Sequence, residues 1–392
     1  MVRDILLYMS GQHSYHMQGY AGNPVVRTPV LDKLAKQGTV MTNAMTSCPL
    51  CVPARASMIS GLLPSNNGVL FNFNSINSDQ ATFLHSLTIS GYDTVLCGRM
   101  HFVGPDQRHG YAKRAAGDRT PVFHNGVPNQ GIKAGTQIKG FDENSSVYYM
   151  GGGDSPVLAY DRYVTARALE YLAGNYDKPQ FITVGAYGPH FPYVAPKELY
   201  DYYYDKVPLE GAEKVEGEHP VLEGKLCETD PDVVRAARAA YYGLVETADH
   251  NMGTVYKAFR EYVKRNGHEG IFIYVSDHGD MNGDRGYYGK QVFYNPSVHI
   301  PFLIEGDGKS LASVIAGEAE DKDRMVRYQN WKFTTYSGFE GKDQLKILMK
   351  CNYDDEEERW PCPVIPMVEN PVRRKVPLEP TPWAAAMRKK LQ

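Results

Sequence analysis

The sequence predicts an α/β protein whose mostly parallel β-sheet is sandwiched between helices. Two observations support this class. Short apolar runs of β-forming residues alternate with helical patterns through most of the chain, and clusters of polar residues directly follow several of those runs. The chain has 392 residues, enough for one large domain and a smaller companion. We expect a main domain over residues 1–306 and a C-terminal subdomain with an antiparallel sheet over residues 307–392.

Charge and composition exclude several classes of protein. The 42 Lys and Arg residues nearly balance the 45 Asp and Glu residues, so the net charge is −3, whereas a general nucleic-acid binder is normally basic. An apolar fraction of 42% is high enough to fill a core. No run reaches the roughly 18 apolar residues that cross a membrane, and no export signal precedes the first apolar run. We therefore expect a cytoplasmic protein with no membrane or nucleic-acid partner.

The first elements follow from local patterns. The apolar run over residues 5–9 predicts the first core strand. Residues 28–38 predict a helix, because Thr28 suits the N-cap, Pro29 the first helical position and Gly38 the C-terminal stop.

Helices and strands continue to alternate beyond this point. We predict helices over residues 81–90, 160–173 and 232–264, and strands over residues 94–97, 181–184, 271–275 and 300–304. Two later segments, 324–328 and 331–336, predict antiparallel strands joined by a short turn. The acidic run at 354–358 predicts a solvated loop.

Polar clusters follow four of the predicted strands, at residues 10–13, 98–101, 188–192 and 276–280. The carboxyl ends of parallel strands meet at one edge of an open sheet, and ligands bind there. We therefore expect these clusters to converge on one crevice.

The six cysteines predict neither a disulfide scaffold nor a structural zinc site. Six cysteines in a chain of this length do not make a disulfide scaffold. Cys48 and Cys51 form a C-x-x-C pair, but Cys351 and Cys362 do not form a second one, which disfavours structural zinc.

Residue 51 also begins the pattern C-x-P-x-R, with Pro53, Arg55 and, six residues further on, Gly61. Pro53 can start a helix, which would place residue 51 at the positive N-terminal end, where an anion is favoured. Arg55 lies one turn along and can reach back. On this pattern alone, a buried apolar thiol remains an alternative interpretation of Cys51.

This segment resembles the signature of the sulfatase family, which implies an alkaline-phosphatase-like fold and a sulfuric-ester hydrolase. Further motifs resembling the family's occur in the same order: residues 9–13, G-R-M-H at 98–101, G-P-H-F-P at 188–192, S-D-H-G-D at 276–280, and Lys290. The resemblance extends over residues 5–304, and the stretch 100–110 looks similar to the choline-sulfatase branch.

The resemblance implies a role for each matching residue. Cys51 would be oxidised to formylglycine by a maturation enzyme, and its hydrate would attack sulfur. Gln12, Asp277 and His278 would hold a divalent cation, with Ca²⁺ as the prediction and Mg²⁺ as the alternative. The residues around the sulfate would be Arg55, Arg99, His101, His190 and Lys290.

The resemblance also implies the proton transfers. His190 or Lys290 would protonate the leaving alcohol, because an alkoxide leaves poorly. His101 would take a proton from the remaining hydroxyl of the sulfated intermediate and so release sulfate. The substrate would be a small-molecule or carbohydrate sulfate ester, with choline sulfate and a sulfated sugar both open. A homo-oligomer is compatible with this resemblance.

The sequence departs from the family at three places. Gly11 stands where the family usually has a metal-binding aspartate, Arg99 replaces a lysine, and only residues 305–323 separate Ile304 from Arg324. Two alternatives stay open, and Gly11 is the reason for the second of them. One is a phosphonate or phosphate monoester hydrolase, because the same geometry accepts another tetrahedral anion. The other is a sulfate-ester-binding relative with impaired catalysis.

Overall fold

The computed structural model describes residues 3–118, 147, 149–214, 217–227 and 230–306, and the backbone of four strands between residues 327 and 366. The chain forms two compact units, Met1–Met325 and Val326–Gln392. The predicted boundary after residue 306 stays a prediction, because residues 307–326 lie outside the described residues, as does most of the connection between Ile304 and Arg324.

The strands of the first unit are β1 (Arg3–Gly11), β2 (Thr39–Val40), β3 (Asp93–Gly98), β4 (Lys113–Ala116), β5 (Met150–Gly152), β6 (Gln180–Pro189), β7 (Tyr193–Ala195), β8 (Glu269–Ser276) and β9 (Phe302–Gly306). Its α-helices are α1 (Pro29–Gln37), α2 (Cys51–Ser60), α3 (Pro64–Asn67), α4 (Phe83–Ile89), α5 (Pro156–Leu172), α6 (Lys197–Tyr204), α7 (Pro220–Glu223), α8 (Pro231–Asn266) and α9 (Asn295–Val298).

The first unit is built on a seven-stranded sheet with the order β2-β9-β8-β1-β6-β3-β4. The central strand β1 is parallel to both neighbours, and its Ile5 lies opposite Phe181 of β6 and Ile271 of β8. Strands β3 and β4 extend the parallel set, whereas β9 and β2 are antiparallel at one edge. The predicted, mostly parallel sheet is confirmed.

Side chains of β1 alternate between two apolar layers, which is why this strand is a continuous apolar run in the sequence. Leu6 and Tyr8 pack with side chains of α1, α5 and α8. Leu7 and Met9 pack on the other face with side chains of α2 and α4. Helices therefore cover both faces of the sheet, as predicted.

Helix α1 has the predicted position but a different cap. Thr28 occupies the N-cap, yet its side chain makes no capping hydrogen bond. Instead, the carboxylate of Asp249 on α8 accepts the N–H groups of Val30 and Leu31. Burial raises the pKa of Asp249 to about 7. The start of α1 is thus fastened to α8 by a long-range contact that local sequence patterns do not contain.

Two predicted helices are longer than expected. Helix α5 begins at Pro156 rather than near residue 160, because Ser155 is its N-cap and accepts the N–H of Leu158. Helix α8 runs for 36 residues and ends at Gly267, which adopts a left-handed φ of 65°. These two helices and α1 supply most of the apolar layer on one face of the sheet.

The second unit contains four antiparallel strands, β10 (Arg327–Tyr328), β11 (Trp331–Tyr336), β12 (Leu345–Lys350) and β13 (Val364–Pro366), in that order. The predicted strand at 331–336 is confirmed, and 327–328 is the described part of its predicted partner. The acidic run at 354–358 lies outside the described residues. None of the helices described here is long and apolar enough to cross a membrane.

Candidate functional site

The polar clusters after the central strands lie together at the carboxyl edge of the sheet. Ser10 of β1 pairs with Ser276 of β8, so the residues that follow these strands are neighbours. The backbone N–H of Gln12 donates to Oδ1 of Asp277 at 2.9 Å. The clusters after β3 and β6 reach the same network through side chains described below. The predicted convergence of these clusters at one edge of the sheet is confirmed.

Cys51 is the first residue of α2 and its side chain is 1% exposed. Its Sγ lies 3.2 Å from Nε2 of His278 and 3.3 Å from Nζ of Lys290. Asn72 accepts the N–H of Val52 at 2.9 Å and so satisfies one free donor of the first turn. The remaining positive end of the helix favours an anion at residue 51.

The charged groups around Cys51 also favour a negative charge on its side chain. Burial raises the pKa of its thiol, but the electrostatic influence of Lys290, His278 and Arg99 outweighs that effect and holds the pKa well below its usual range. By contrast, burial raises the pKa of Cys48 to about 12. Of these two cysteines, only Cys51 therefore lies where negative charge is stabilised.

Arg55 and Asp277 form a buried ion pair. Nε and Nη2 of Arg55 each lie 2.9 Å from Oδ2 of Asp277, and Nη1 donates to the carbonyl of Arg99. Oδ1 of Asp277 accepts the backbone N–H groups of Gln12 and His278. Burial raises the pKa of Asp277, but His278 and Arg55 outweigh it and lower the value to about 2. This carboxylate is fixed and charged.

Gln12 has a left-handed φ of 67°, a conformation that is costly for a residue with a side chain. Its Oε1 accepts from Nζ of Lys290 at 2.7 Å, and its Nε2 donates to Asp280. Asp280 also accepts the hydroxyl of Tyr193. Asp280 and Tyr193, which orient this amide, had no predicted role. The signal for Asp280 was the second carboxylate of the S-D-H-G-D motif.

Lys290 and His190 are in direct contact. Nζ of Lys290 lies 2.6 Å from Nε2 of His190, and Nδ1 of His190 lies 2.6 Å from the carbonyl of Phe191. An ammonium can only donate, so Nε2 is the acceptor and Nδ1 carries the ring proton. Burial and the charge of Lys290 lower the pKa of His190 to about 3. Burial also lowers the pKa of Lys290.

His101 is held by Arg99. Nη2 of Arg99 lies 2.8 Å from Nδ1 of His101, and a guanidinium can only donate. The proton of the neutral ring therefore lies on Nε2. Burial followed by the charge of Arg99 lowers the pKa of His101, whereas the nearby Cys51 acts in the opposite direction. The backbone of His101 is left-handed, with a φ of 57°.

Three of these side chains could hold a metal ion together. Ligand atoms of Cys51, Asp277 and His278 all lie within 4.8 Å of one another. Gln12 is linked to this group through Lys290, whose Nζ contacts both Oε1 of Gln12 and Sγ of Cys51. A carboxylate, an amide oxygen and an imidazole nitrogen are ordinary donors for a divalent cation. The donor chemistry therefore fits such an ion.

The structure brings all the predicted site residues into one network of hydrogen bonds, ion pairs and short side-chain contacts. Each is buried or, for Lys290, nearly so. The members are Gln12, Cys51, Arg55, Arg99, His101, His190, Asp277, His278 and Lys290.

Comparison with known proteins identifies the family. The sulfatase family profile matches residues 3–326, which is most of the chain. The chain belongs to the sulfatase family. This agrees with the motifs around Cys51 and along the carboxyl edge of the sheet.

Two curated members of the family are similar to this sulfatase in sequence. It is 32% identical over 303 residues to a choline-sulfatase of Rhizobium meliloti (strain 1021), covering 72% of this chain and 58% of that protein. It is 30% identical over 346 residues to an arylsulfatase of Clostridium perfringens (strain 13 / Type A), covering 79% and 70%. The chain thus spans 58% of the length of the choline-sulfatase that it matches.

Solved structures confirm the fold of the sulfatase. The phosphonate monoester hydrolase of Agrobacterium radiobacter matches with a TM-score of 0.68 and 18% identity, over 88% of this chain and 85% of that one. A 2-O GAG sulfatase matches with a TM-score of 0.63 and 16% identity, over 89% and 81%. The predicted alkaline-phosphatase-like fold, a mostly parallel sheet with helices and a small antiparallel part, is confirmed.

Proposed function

We propose that this sulfatase hydrolyses a sulfate ester to an alcohol and inorganic sulfate, with residue 51 matured to formylglycine. The observation that carries this proposal is the placement of Cys51 at the positive end of α2, in contact with Lys290 and His278, where negative charge is stabilised. A hydrated aldehyde there supplies an oxygen nucleophile.

In the first proposed step, a hydroxyl of the residue-51 hydrate loses its proton to solvent, because the surrounding cationic groups stabilise the anion, and its oxygen bonds to sulfur while the bond from sulfur to the alcohol oxygen breaks. Negative charge then grows on the leaving oxygen and is spread over the sulfuryl oxygens. The buried cationic groups of Arg55, Arg99 and Lys290 surround this position and stabilise that charge. They are already oriented by the network, so little reorganisation is required.

The leaving alcohol needs a proton, and the geometry favours Lys290 over His190 as its source. Nε2 of His190 accepts from Lys290, and the pKa of His190 is lowered to about 3, so the imidazole is neutral near pH 7. Its Nδ1 proton is engaged with the carbonyl of Phe191. We assign His190 the role of orienting the Lys290 ammonium.

Release of sulfate requires a second proton transfer at residue 51. His101 interacts electrostatically with this side chain, and its lowered pKa keeps the ring neutral. We propose that His101 takes the proton of the remaining hydroxyl, after which the bond from carbon to the sulfate oxygen breaks and the aldehyde re-forms. For this transfer, Arg99 must release Nδ1 of His101 so that the ring can change tautomer.

A divalent cation would be held by Gln12, Asp277 and His278; Ca²⁺ stays the predicted ion and Mg²⁺ the alternative. Bound there, it would act as a Lewis acid toward the sulfuryl oxygens. Gln12 must exchange its contact with Lys290 for the ion, whereas Asp277 keeps the Arg55 ion pair that orients it.

A maturation enzyme is the partner that this proposal requires. At 1% exposure, Cys51 lies too deep in the folded chain for the active site of another enzyme to close around it. We therefore propose that conversion to formylglycine takes place before folding is complete.

The substrate class is a small-molecule or carbohydrate sulfate ester. A second candidate activity, on phosphonate or phosphate monoesters, is supported by the relative named a multifunctional alkaline phosphatase superfamily protein, which is 27% identical over 363 residues. The same buried cations would hold another tetrahedral anion.

One preparation of matured protein tests both candidates. We expect release of sulfate from an aryl sulfate to exceed turnover of the matching aryl phosphonate, and Cys51→Ala protein to release none. A screen of choline sulfate and sulfated monosaccharides then identifies the alcohol. Faster turnover of the phosphonate would favour the second candidate, and turnover of neither by protein shown to carry formylglycine would contradict both.

A further inference from the structure

Asp161 on α5 fastens the end of β6, which leads into the site. The backbone N–H of Tyr187 donates to Oδ1 of Asp161 at 2.7 Å, and that of Gly188 donates to Oδ2 at 2.8 Å. The residue is 5% exposed. Burial raises the pKa of Asp161 to about 6, which leaves the carboxylate charged near pH 7. Both of its oxygens therefore accept a hydrogen bond from the same short segment.

Strand β6 has a bulge at this segment. Gly185 of β6 lies opposite Met9 of β1. The next pair in the register is Pro189 with Gly11, so β6 uses two more residues than β1 over this span. A bulge takes backbone groups out of the ladder and redirects side chains, and bulges are common beside active sites. Because a buried N–H without an acceptor is costly, Asp161 supplies the acceptors that the ladder does not.

The segment fastened by Asp161 makes two contacts with the site. Cζ of Arg99 lies over the ring of Tyr187, 4.1 Å from the ring centre. The same ring meets the imidazole of His190 edge-on, with 4.9 Å between the ring centres. The N–H of His190 also donates to the carbonyl of Tyr187 at 3.3 Å. The orientation of His190 toward Lys290 therefore depends on where Tyr187 lies.

Two glycines leave room for this arrangement. A Cβ on Gly11 would lie 2.6 Å from the carbonyl oxygen of Tyr187 and 3.1 Å from Nη1 of Arg99. A Cβ on Gly188 would lie 2.8 Å from Oδ2 of Asp161. Distances below 3.0 Å are shorter than real Cβ contacts. A side chain at either glycine must therefore displace the bulge or the groups that contact it.

Among the ion pairs that described residues form, none includes Asp161. A buried carboxylate without a paired cation is costly unless hydrogen bonds satisfy it. The charge of Asp161 is therefore tied to the two N–H groups of the bulge. Asp249 is a second buried carboxylate of this kind, but the two N–H groups that it accepts belong to α1.

Building on the proposed function, we propose that Asp161 is a positioning residue for sulfate-ester hydrolysis, which fixes the bulge of β6 and so orients His190 toward the Lys290 ammonium. It acts through Tyr187 and Gly188 and does not touch the substrate. Without its carboxylate, the two N–H groups must turn toward other acceptors, and Tyr187 shifts with them. His190 then orients the ammonium less well, and the leaving alcohol receives its proton more slowly.

The first measurement needs no turnover. It is nitrogen NMR of the full-length, folded protein with Cys51 unmodified and its histidines labelled with ¹⁵N. We expect the His190 ring to show a protonated Nδ1 and an unprotonated Nε2, assigned by their loss in His190→Gln protein. Asp161→Asn places an amide N–H against one of the two backbone N–H groups, so both ring signals should move toward a mixture of tautomers. Asp249→Asn is the matched control and should leave them unmoved.

The second measurement compares kcat and KM of matured proteins on an alkyl sulfate and an aryl sulfate. We expect Asp161→Asn to lower kcat on the alkyl sulfate by about tenfold or more, with KM changed by less than about threefold. An aryl sulfate with an acidic phenol should be much less affected. Asp249→Asn should keep kcat within about twofold. In protein that already carries His190→Ala, Asp161→Asn should lower kcat by less than about threefold, because both act through one contact.

Three results would overturn the positioning role: unmoved His190 signals or unaltered kcat in folded Asp161→Asn protein, an equal loss in Asp249→Asn protein, or losses that add fully to those of His190→Ala. If Asp161→Asn does not fold, Gly188→Ala decides the question, because its Cβ displaces the same carboxylate. Unmoved signals in that variant would overturn the role as well. If the unaltered, matured protein hydrolysed no ester, the proposed function alone would be contradicted, and the His190 signals would still test Asp161.

Discussion

Nζ of Lys290 donates to Nε2 of His190 at 2.6 Å, while Nδ1 of that ring donates to the carbonyl of Phe191. The two contacts fix one tautomer and leave the mobile proton on the ammonium. Burial lowers the pKa of Lys290, which makes the ammonium a stronger acid than an exposed lysine. In this pair, the lysine is therefore the proton donor, and the histidine orients its ammonium group.

Removing Lys290 should affect poor leaving groups most. In Lys290→Ala protein, we expect turnover of an alkyl sulfate to fall by about 100-fold to 10,000-fold, the usual contribution of a general acid. An aryl sulfate with an acidic phenol needs little protonation and should be much less affected. Rates measured against the pKa of the alcohol should show a steeper dependence in the variant. His190→Ala should show the same pattern with a smaller loss, and equal loss on all esters would assign both residues to binding instead.

Residue 51 should carry formylglycine only when maturation precedes folding. Peptide mass spectrometry of protein made together with a maturation enzyme should show the thiol replaced by an aldehyde at residue 51, with Cys48 unchanged. Folded, purified protein given the same enzyme should stay unmodified, because Cys51 is 1% exposed. An unfolded peptide with the same residues is the positive control. Efficient conversion of the folded chain would show that the site opens.

His101 should act in release of sulfate rather than in its transfer. His101→Ala protein should accumulate sulfate covalently bound at residue 51, visible as a mass increase after brief exposure to substrate. His101→Gln separates accepting a proton from donating one, since an amide can hydrogen-bond residue 51 but cannot act as a base. We expect Gln to accumulate the adduct as Ala does. If the Gln variant released sulfate normally, the His101 ring would act only as a hydrogen-bond donor and not as a base.

The main strands and the position of the site could be predicted because their signals are local. The apolar run ending near Met9 has to be buried on both faces, and the polar residues after each strand have to meet at one edge of a parallel sheet. Cys51 at the start of α2 followed from the proline two residues later. The approximate ends of α1 followed from Pro29 and Gly38.

Contacts between distant segments could not be predicted. The capping of α1 by Asp249 joins residues more than 200 positions apart, and no local pattern records it. The orientation of Gln12 by Asp280 depends on how β1 and β8 pair. The fit of Arg99 against Gly11 depends on a carbonyl of β6. The sequence showed both departures, but not that they touch.

Asp249 should make stability depend on pH. Its pKa rises from an ordinary 3.8 to about 7 on burial, so between these values the folded state holds a proton that the unfolded state has lost. The free energy of unfolding therefore falls as pH rises through that window, by at most about 1.4 kcal/mol per pH unit from this group. Asp249→Asn should remove that part of the slope. Urea unfolding at a series of pH values checks this, and parallel curves for the two proteins would contradict it.

The close packing at Gly11 should make this glycine intolerant of even a methyl group. Gly11→Ala would place Cβ 2.6 Å from the Tyr187 carbonyl oxygen and 3.1 Å from Arg99, so we expect a loss of about 1–3 kcal/mol in the free energy of unfolding, as in other overpacked sites. Gly224→Ala is the matched control, because nothing lies within 4 Å of its added Cβ and its φ is not left-handed. Urea unfolding of both variants gives the comparison. The Gly11 variant should also bind sulfate more weakly, since its methyl group pushes the guanidinium away. Equal stability of the two variants, with sulfate binding intact, would mean that the end of β1 yields readily and that the glycine is not needed to seat Arg99.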